Sequence, residues 1–171
     1  LSGRIMTYMG FKELWVDEFS VHPDYQRQGI GTKMLEYVRE QLKQETEKIQ
    51  KFLKSFRKKS KMPVSADTYK PEVAKAALEE GADIINDIYA LRYKNKDMAN
   101  IVAKNRAAVI LMHMKKNPLT MQQNIRYNNT LSDIFNFLSK QLDFALDSGI
   151  KKESIIVDPG IGFGKTVEDN L

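Results

Sequence analysis

Ile155-Ile156-Val157-Asp158-Pro159-Gly160-Ile161-Gly162-Phe163-Gly164-Lys165-Thr166 joins a buried-strand run, an acid at the strand's end and a glycine-rich turn. A β-branched run of this kind reads as a strand covered on both faces. The carboxylate and the glycines beyond it have the form of a ligand-gripping loop. The ending Gly164-Lys165-Thr166 also invites comparison with a Walker-type nucleotide loop. That reading fails on spacing, because the first glycine it requires falls at Pro159, whose ring removes an N–H from the phosphate cradle.

Upstream of this stretch, strand and helix signals alternate. Pro63 to Asp67 reads as a short strand, and Lys70-Pro71-Glu72 opens a helix with proline in its first turn, closed at Gly81. Ala82 to Asp87 is the next strand, followed by a weaker helix around Met98, Ile101 and Val102. Ala107 to Met112 is a third strand. Thr130 is expected to cap a helix, with Asp133 three residues on, that carries Leu131, Ile134, Phe135, Leu138, Leu142, Ala145 and Leu146 inward and ends at Gly149. Ser154 to Val157 is the last strand. Continuous apolar strands separated by amphipathic helices imply a parallel sheet with right-handed crossovers, so every strand's C-terminal end meets one rim. Asp67, Asn86, Asp87, His113 and Asp158 are expected to gather there, on the ligand-binding edge of such sheets.

Bulk properties narrow the function classes. The chain has 171 residues, 42% of them hydrophobic and 29% charged, which suits a globular domain burying roughly 70% of its unfolded surface. There is no apolar run of about 18 residues and no signal-peptide pattern, so a cytoplasmic location without membrane contact is expected. Zero cysteines exclude disulfides and thiolate metal sites, and His22 and His113 alone do not make a histidine-rich zinc site. Part of the net charge of +5 falls in Lys48, Lys51, Lys54, Arg57, Lys58, Lys59 and Lys61. These alternate with Ile49, Phe52, Leu53 and Phe56 at helical spacing and read as a solvated helix face rather than a nucleic-acid footprint.

A second glycine turn, Gln26-Arg27-Gln28-Gly29-Ile30-Gly31, lies far upstream between a strand read from Leu14 to Val21 and a long helical stripe from Ile30 to Phe56. The stripe thins at Gln44-Glu45-Thr46-Glu47, where an apolar residue is due, and this marks a seam between residues 1–44 and 45–171. The upstream strand and helix have the order of one more βα unit of the downstream sheet, and a single packed unit is expected.

From about Glu45 to Leu171 the chain resembles dihydropteroate synthase. The resemblance rests on Pro63-Val64-Ser65-Ala66-Asp67-Thr68-Tyr69-Lys70, Gly81 to Ile88, Leu111-Met112-His113-Met114-Lys115 with Thr120-Met121-Gln122, and Asp158 to Thr166, in that order and spacing. It implies the middle of a (β/α)8 barrel that joins a pterin hydroxymethyl diphosphate to p-aminobenzoate, releasing diphosphate with magnesium present. By the same resemblance Asp67, Asn86 and Asp158 would bind the pterin or stabilise a cationic intermediate, and Met112 and Phe163 would wall the pocket. The family's early Asn-containing strand and its later Lys and Arg-x-His groups have no match in these residues. The magnesium site is therefore expected to be missing and turnover weak or absent.

Residues from about Gly3 to Lys43 resemble the acetyl-CoA-binding core of GNAT-type N-acetyltransferases, through Val16 to Leu35 with the turn at Gln26 to Gly31. There Gln26, Arg27, Gln28, Gly29 and Gly31 would present backbone N–H groups to the cofactor's diphosphate from a helix N-terminus. The strands that splay around the pantetheine arm and the later acidic tyrosine have no counterpart. The fold expected is thus α/β, with parallel βα repeats in a partial TIM-barrel-like sheet and a GNAT-derived strand-helix unit at the N-terminus. Three functional readings stand at this point: a pterin-binding synthase segment, an acetyl-CoA-binding domain, and a chimeric scaffold without activity. An open sheet also has edges, so self-association is expected.

Overall fold

The computed structural model describes residues 4–8, 11–15, 24, 27–93, 96–116, 118, 120–123 and 125–171. The chain divides into two compact units, Leu1–Gln44 and Glu45–Leu171.

In the first unit β1 (Arg4–Tyr8) and β2 (Phe11–Trp15) pair antiparallel, with Arg4 opposite Trp15 and Tyr8 opposite Phe11. This corrects the parallel strand expected from Leu14 to Val21. Leu14 and Trp15 close an antiparallel strand, because the short stretch between Tyr8 and Phe11 permits only a hairpin pairing, whereas a parallel partner needs a crossover of about a dozen residues. The remainder of that expected strand, residues 16–21, lies outside the described residues. Helix α1 (Ile30–Arg57) follows Gly29, whose φ of +74° sets the left-handed turn, and Lys33 N donates to Gly29 O at 3.0 Å. No Gly or Pro interrupts it after Gly31, so it crosses Gln44 and Glu45 unbroken.

The second unit is built on four parallel strands in the order β3 (Ser65–Asp67), β4 (Ile84–Asp87), β5 (Ala108–Met112) and β6 (Ile155–Asp158). Sequential strands are neighbours, as expected of successive βα units. Pro71 opens α2 (Pro71–Glu79), and Gly81 at φ +95° turns the chain out of it. Helix α3 (Asp97–Asn105) ends in left-handed Arg106. Helix α4 (Thr130–Asp147) is capped one residue earlier than expected. Its cap is Asn129, whose side chain accepts from Ser132 N at 2.9 Å, while the Thr130 hydroxyl is engaged with the Asp169 carboxylate.

The sheet register sorts residues onto two faces. Ala66, Ile85 and Val109 form one row, and all three are buried against Leu53 of α1, Leu78, Leu91, Met98, Val102, Ala145 and Ile150. Burial of each large apolar side chain in this layer contributes about 1.5–3 kcal/mol. Of the apolar face expected for α4, Ala145 is buried, but Leu131 and Phe135 are 81% and 69% exposed. Helix and sheet meet along a narrower strip than the periodicity suggests. Arg57 ties the end of α1 to the start of the sheet: its Nε and Nη2 donate to Gly81 O at 2.8 and 2.6 Å, and Nη2 also reaches Asp83 Oδ2 at 2.6 Å.

Candidate functional site

Side chains alternate along a strand, so the face opposite the core row is fixed by the same register. Asp67, Asn86, Ile110 and Ile156 lie side by side on it, and Met112 and Asp158, opposite each other, follow two positions further along β5 and β6. Strand spacing puts Asp67 and Asn86 about 5 Å apart at Cα, and Asn86 and Asp158 roughly 12 Å apart. Four of the five residues expected in a pterin site therefore share one face, near the C-terminal ends of their strands. The side chains of Asp67 and Asn86 and the Oδ2 of Asp158 have no hydrogen-bond partner among the described residues. Partial burial pushes the Asp67 carboxyl above its ordinary pKa.

Asp87 departs from the expectation. Its side chain is on the core-facing side and fully buried, where Oδ1 accepts from Tyr89 N at 2.9 Å and Oδ2 from Leu91 N at 2.8 Å. Burial pushes its pKa up to about 6, against the opposing pull of those two backbone N–H groups and Arg92. It shapes the turn after β4 and does not join the row of Asp67 and Asn86.

The glycine loop after β6 is folded onto the end of β5. Asp158 Oδ1 accepts from Gly160 N at 2.7 Å, and His113 N donates to Asp158 O at 2.8 Å. Gly160, at φ +67°, covers Met112, which is 3% exposed. Lys165 is buried at 5% exposure, with its Nζ 2.8 Å from Gly160 O, 3.1 Å from Phe163 O, 3.3 Å from His113 O and 3.0 Å from His113 Nδ1. An ammonium only donates, so Nδ1 accepts and the neutral ring carries its proton on Nε2. Burial, then the nearby Lys165 charge, pull His113 down to about 4; burial pulls Lys165 down to about 8. Gln122 Nε2 and the Tyr127 hydroxyl donate to Gly162 O and Gly164 O at 2.9 and 2.8 Å, pinning the loop from its other side. Phe163, half-buried, sits within this loop, and its N–H donates to Gly160 O at 3.0 Å.

Of the upstream turn, Gln26 lies outside the described residues. Arg27, at φ +61°, Gln28 and Gly29 are exposed, and Gln28 Nε2 donates to Asp24 O at 3.2 Å. Gly31 lies in the first turn of α1. Among the described residues no three His, Asp or Glu side chains converge on a point that could hold a cation. Those residues do not provide a fitted donor set for magnesium.

A family profile described as "Pterin binding enzyme" matches residues 35–171, and one described as "Acetyltransferase (GNAT) domain" matches residues 2–67. The chain belongs to the pterin-binding enzyme family. Among its relatives, the dihydropteroate synthases of Clostridium beijerinckii and Synechocystis are 43% and 40% identical over 128 and 130 residues, covering 75% and 76% of this chain. Each alignment takes in 45% of the relative, so the chain spans about half the length of the curated relatives it matches. A Yersinia pestis dihydropteroate synthase solved as a sulfonamide drug complex superposes with a TM-score of 0.68 at 30% identity, covering 71% of this chain and 44% of that one. The Thermus thermophilus enzyme in complex with 6HMPPP gives 0.60 at 40% identity, over 64% of this chain and 42% of that one.

Within this pterin-binding segment the sequence alone presents Lys165 as part of a failed nucleotide loop and of the Asp158 to Thr166 match, with no role of its own. A signal exists in principle: a lysine directly after a run of glycines has backbone carbonyls within reach of its own ammonium. What no pattern reveals is that His113, just past the end of β5 and more than fifty positions away, supplies the other two contacts.

Proposed function

We propose that this chain forms the pterin-reading part of a dihydropteroate synthase, an enzyme that condenses a pterin hydroxymethyl diphosphate with p-aminobenzoate. What carries the reading is the shared face of Asp67, Asn86 and Asp158, whose side chains keep unspent hydrogen-bonding capacity. A pterin edge alternates donors and acceptors; carboxylates accept from its ring N–H and amino groups, and the Asn86 amide does both. In the reaction the methylene C–O bond breaks with its electron pair leaving on diphosphate. The arylamine nitrogen then forms the C–N bond and releases a proton. Asp67 and Asp158 favour the cationic methylene electrostatically, while Met112 and Phe163 wall the ring.

Titration of the protein with a pterin tests this, with Asp158→Ala as the contrast. Loss of one partner of a charged hydrogen bond costs roughly 2–5 kcal/mol in binding, and an Asp158→Ala variant binding as tightly as the parent would refute the assignment. These 171 residues hold no Arg-x-His sequence for the diphosphate, so turnover by the chain alone is expected to be weak or absent. Robust dihydropteroate formation would overturn that.

The match to residues 2–67 supports a second element, an acetyltransferase-type segment joined to the pterin-binding one. Its glycine turn opening α1 suits an anion, but we read it as retained structure rather than working chemistry. Heat released on adding acetyl-CoA, lost in Gly29→Ala, would reverse that view. For the described residues no helix is long and apolar enough to cross a membrane, and we place the function in the cytoplasm.

A further inference from the structure

We propose that Lys165 is the positioning residue of the pterin site, its buried ammonium drawing the carbonyls of Gly160 and Phe163 onto His113 at the end of β5 so that Asp158 and Phe163 are held facing the ligand. The inference rests on the pterin reading above and goes beyond it by separating the residues that touch ligand from the one that shapes their loop.

Three observations carry it. Four acceptors surround one nitrogen with three protons, so every proton of the ammonium is used inside the loop and none points to a ligand. The carbonyls it gathers belong to residues on both sides of the loop's tip, and the His113 contributions come from the end of the strand that also carries Met112. Two further bonds within the loop, Gly160 N to Asp158 Oδ1 and Phe163 N to Gly160 O, depend on the same backbone conformation, which Gly160 adopts at positive φ. Without the ammonium, neighbouring carbonyl dipoles would face each other in a buried space with no donor, and the loop would open to hydrate them. The lowered pKa of Lys165 is consistent with this enclosure.

The test compares the parent with Lys165→Met, which keeps the stem and removes the charge, Lys165→Gln, whose amide can satisfy part of the acceptor set, and Asp158→Asn. The probe is 6-hydroxymethylpterin, followed by fluorescence titration. A ligand-free readout accompanies it: hydrogen exchange of the Gly160, Gly162 and Phe163 amides against those of Val109 and Leu111, with the ¹⁵N resonances of His113. Expected for Lys165→Met are at least about tenfold faster exchange in the loop (a tenfold change corresponding to about 1.4 kcal/mol), unchanged exchange in β5, a shifted Nδ1 resonance, and pterin affinity reduced by a similar factor. Lys165→Gln should fall between Lys165→Met and the parent, and serves alone if the methionine variant does not fold. Parental loop exchange and parental affinity in both Lys165 variants would overturn the positioning role. If Asp158→Asn binds as the parent does, or the parent does not bind, the pterin reading fails instead; the exchange data still decide whether Lys165 organises the loop.

Discussion

A Cβ placed on Gly160 would lie 2.1 Å from the carbonyl oxygen of His113. The loop after β6 thus rests on the end of β5 with no room for a side chain, and that contact brings Gly160 N onto Asp158 Oδ1. Gly162, only two positions on and also at positive φ, has nothing within 4 Å of its would-be Cβ. Gly162→Ala is expected to cost only the left-handed backbone penalty, on the order of 1–2 kcal/mol. Gly160→Ala adds a clash with backbone that has no rotamer to yield, and should lose more stability and most pterin affinity. Equal urea midpoints for the two variants would contradict the packing argument.

Two buried groups should impose opposite pH dependences. Asp87 has its pKa raised from 3.8 to about 6, so the native state holds its proton more tightly and stability falls as pH rises through that window. His113 has its pKa lowered from 6.5 to about 4, so the unfolded state holds the proton more tightly and stability rises with pH between about 4 and 6.5. Each shift is worth about 3 kcal/mol at full development, and in the parent they largely cancel. Removing one should unmask the other: relative to the parent, Asp87→Asn gains stability with rising pH across this range, and His113→Gln loses it. Urea unfolding at a series of pH values measures both slopes. Variants that run parallel to the parent would show that neither group titrates as its burial requires.

The parallel sheet is legible in the sequence because its strands are continuous apolar runs ending in polar residues, and period-2 alternation then puts Asp67, Asn86, Met112 and Asp158 on one face. Asp87 escapes the same logic carried one residue too far, since adjacent residues on a strand point to opposite sides. The direction of the strand ending at Trp15 is not legible, because its pairing depends on Arg4–Tyr8, a segment without a clear strand pattern of its own. In α4 the apolar stripe is wider than the strip of helix that meets the sheet, so periodicity overstates what is inward. The role of Lys165 is hidden because its partners are backbone carbonyls and a histidine just past the end of another strand, which leave no trace in local composition.

Arg57 offers a stability prediction that separates geometry from charge. Its guanidinium reaches the carbonyls of Gly81 and Met62 and the Asp83 carboxylate together. Asp83 is about half exposed, so the ion pair itself should contribute under about 1 kcal/mol. The carbonyl bonds need the planar fork that lysine lacks. Arg57→Lys should therefore destabilise by about 1–2 kcal/mol, and high salt should leave the difference nearly unchanged. A difference that vanishes in salt would assign the effect to the ion pair instead.

Self-association should use the β6 edge rather than the β3 edge. β3 is only three residues long and exposes Ser65 and Asp67, a short polar edge that resists pairing. Among the described residues β6 is paired on one side only, to β5, and carries Ile156 and Val157 at 47% and 50% exposure. An exposed strand with unpaired backbone groups and apolar side chains is a template for a second strand. Val157 projects on the side of the helix layer, away from the row that holds Asp158, so a charge there should block pairing without touching the proposed ligand face. Sedimentation velocity over a wide concentration range should show the parent moving from monomer toward dimer, and Val157→Lys remaining monomeric with pterin affinity intact. A parent that stays monomeric throughout, or a Val157→Lys protein that associates as the parent does, would remove the β6 edge as the contact.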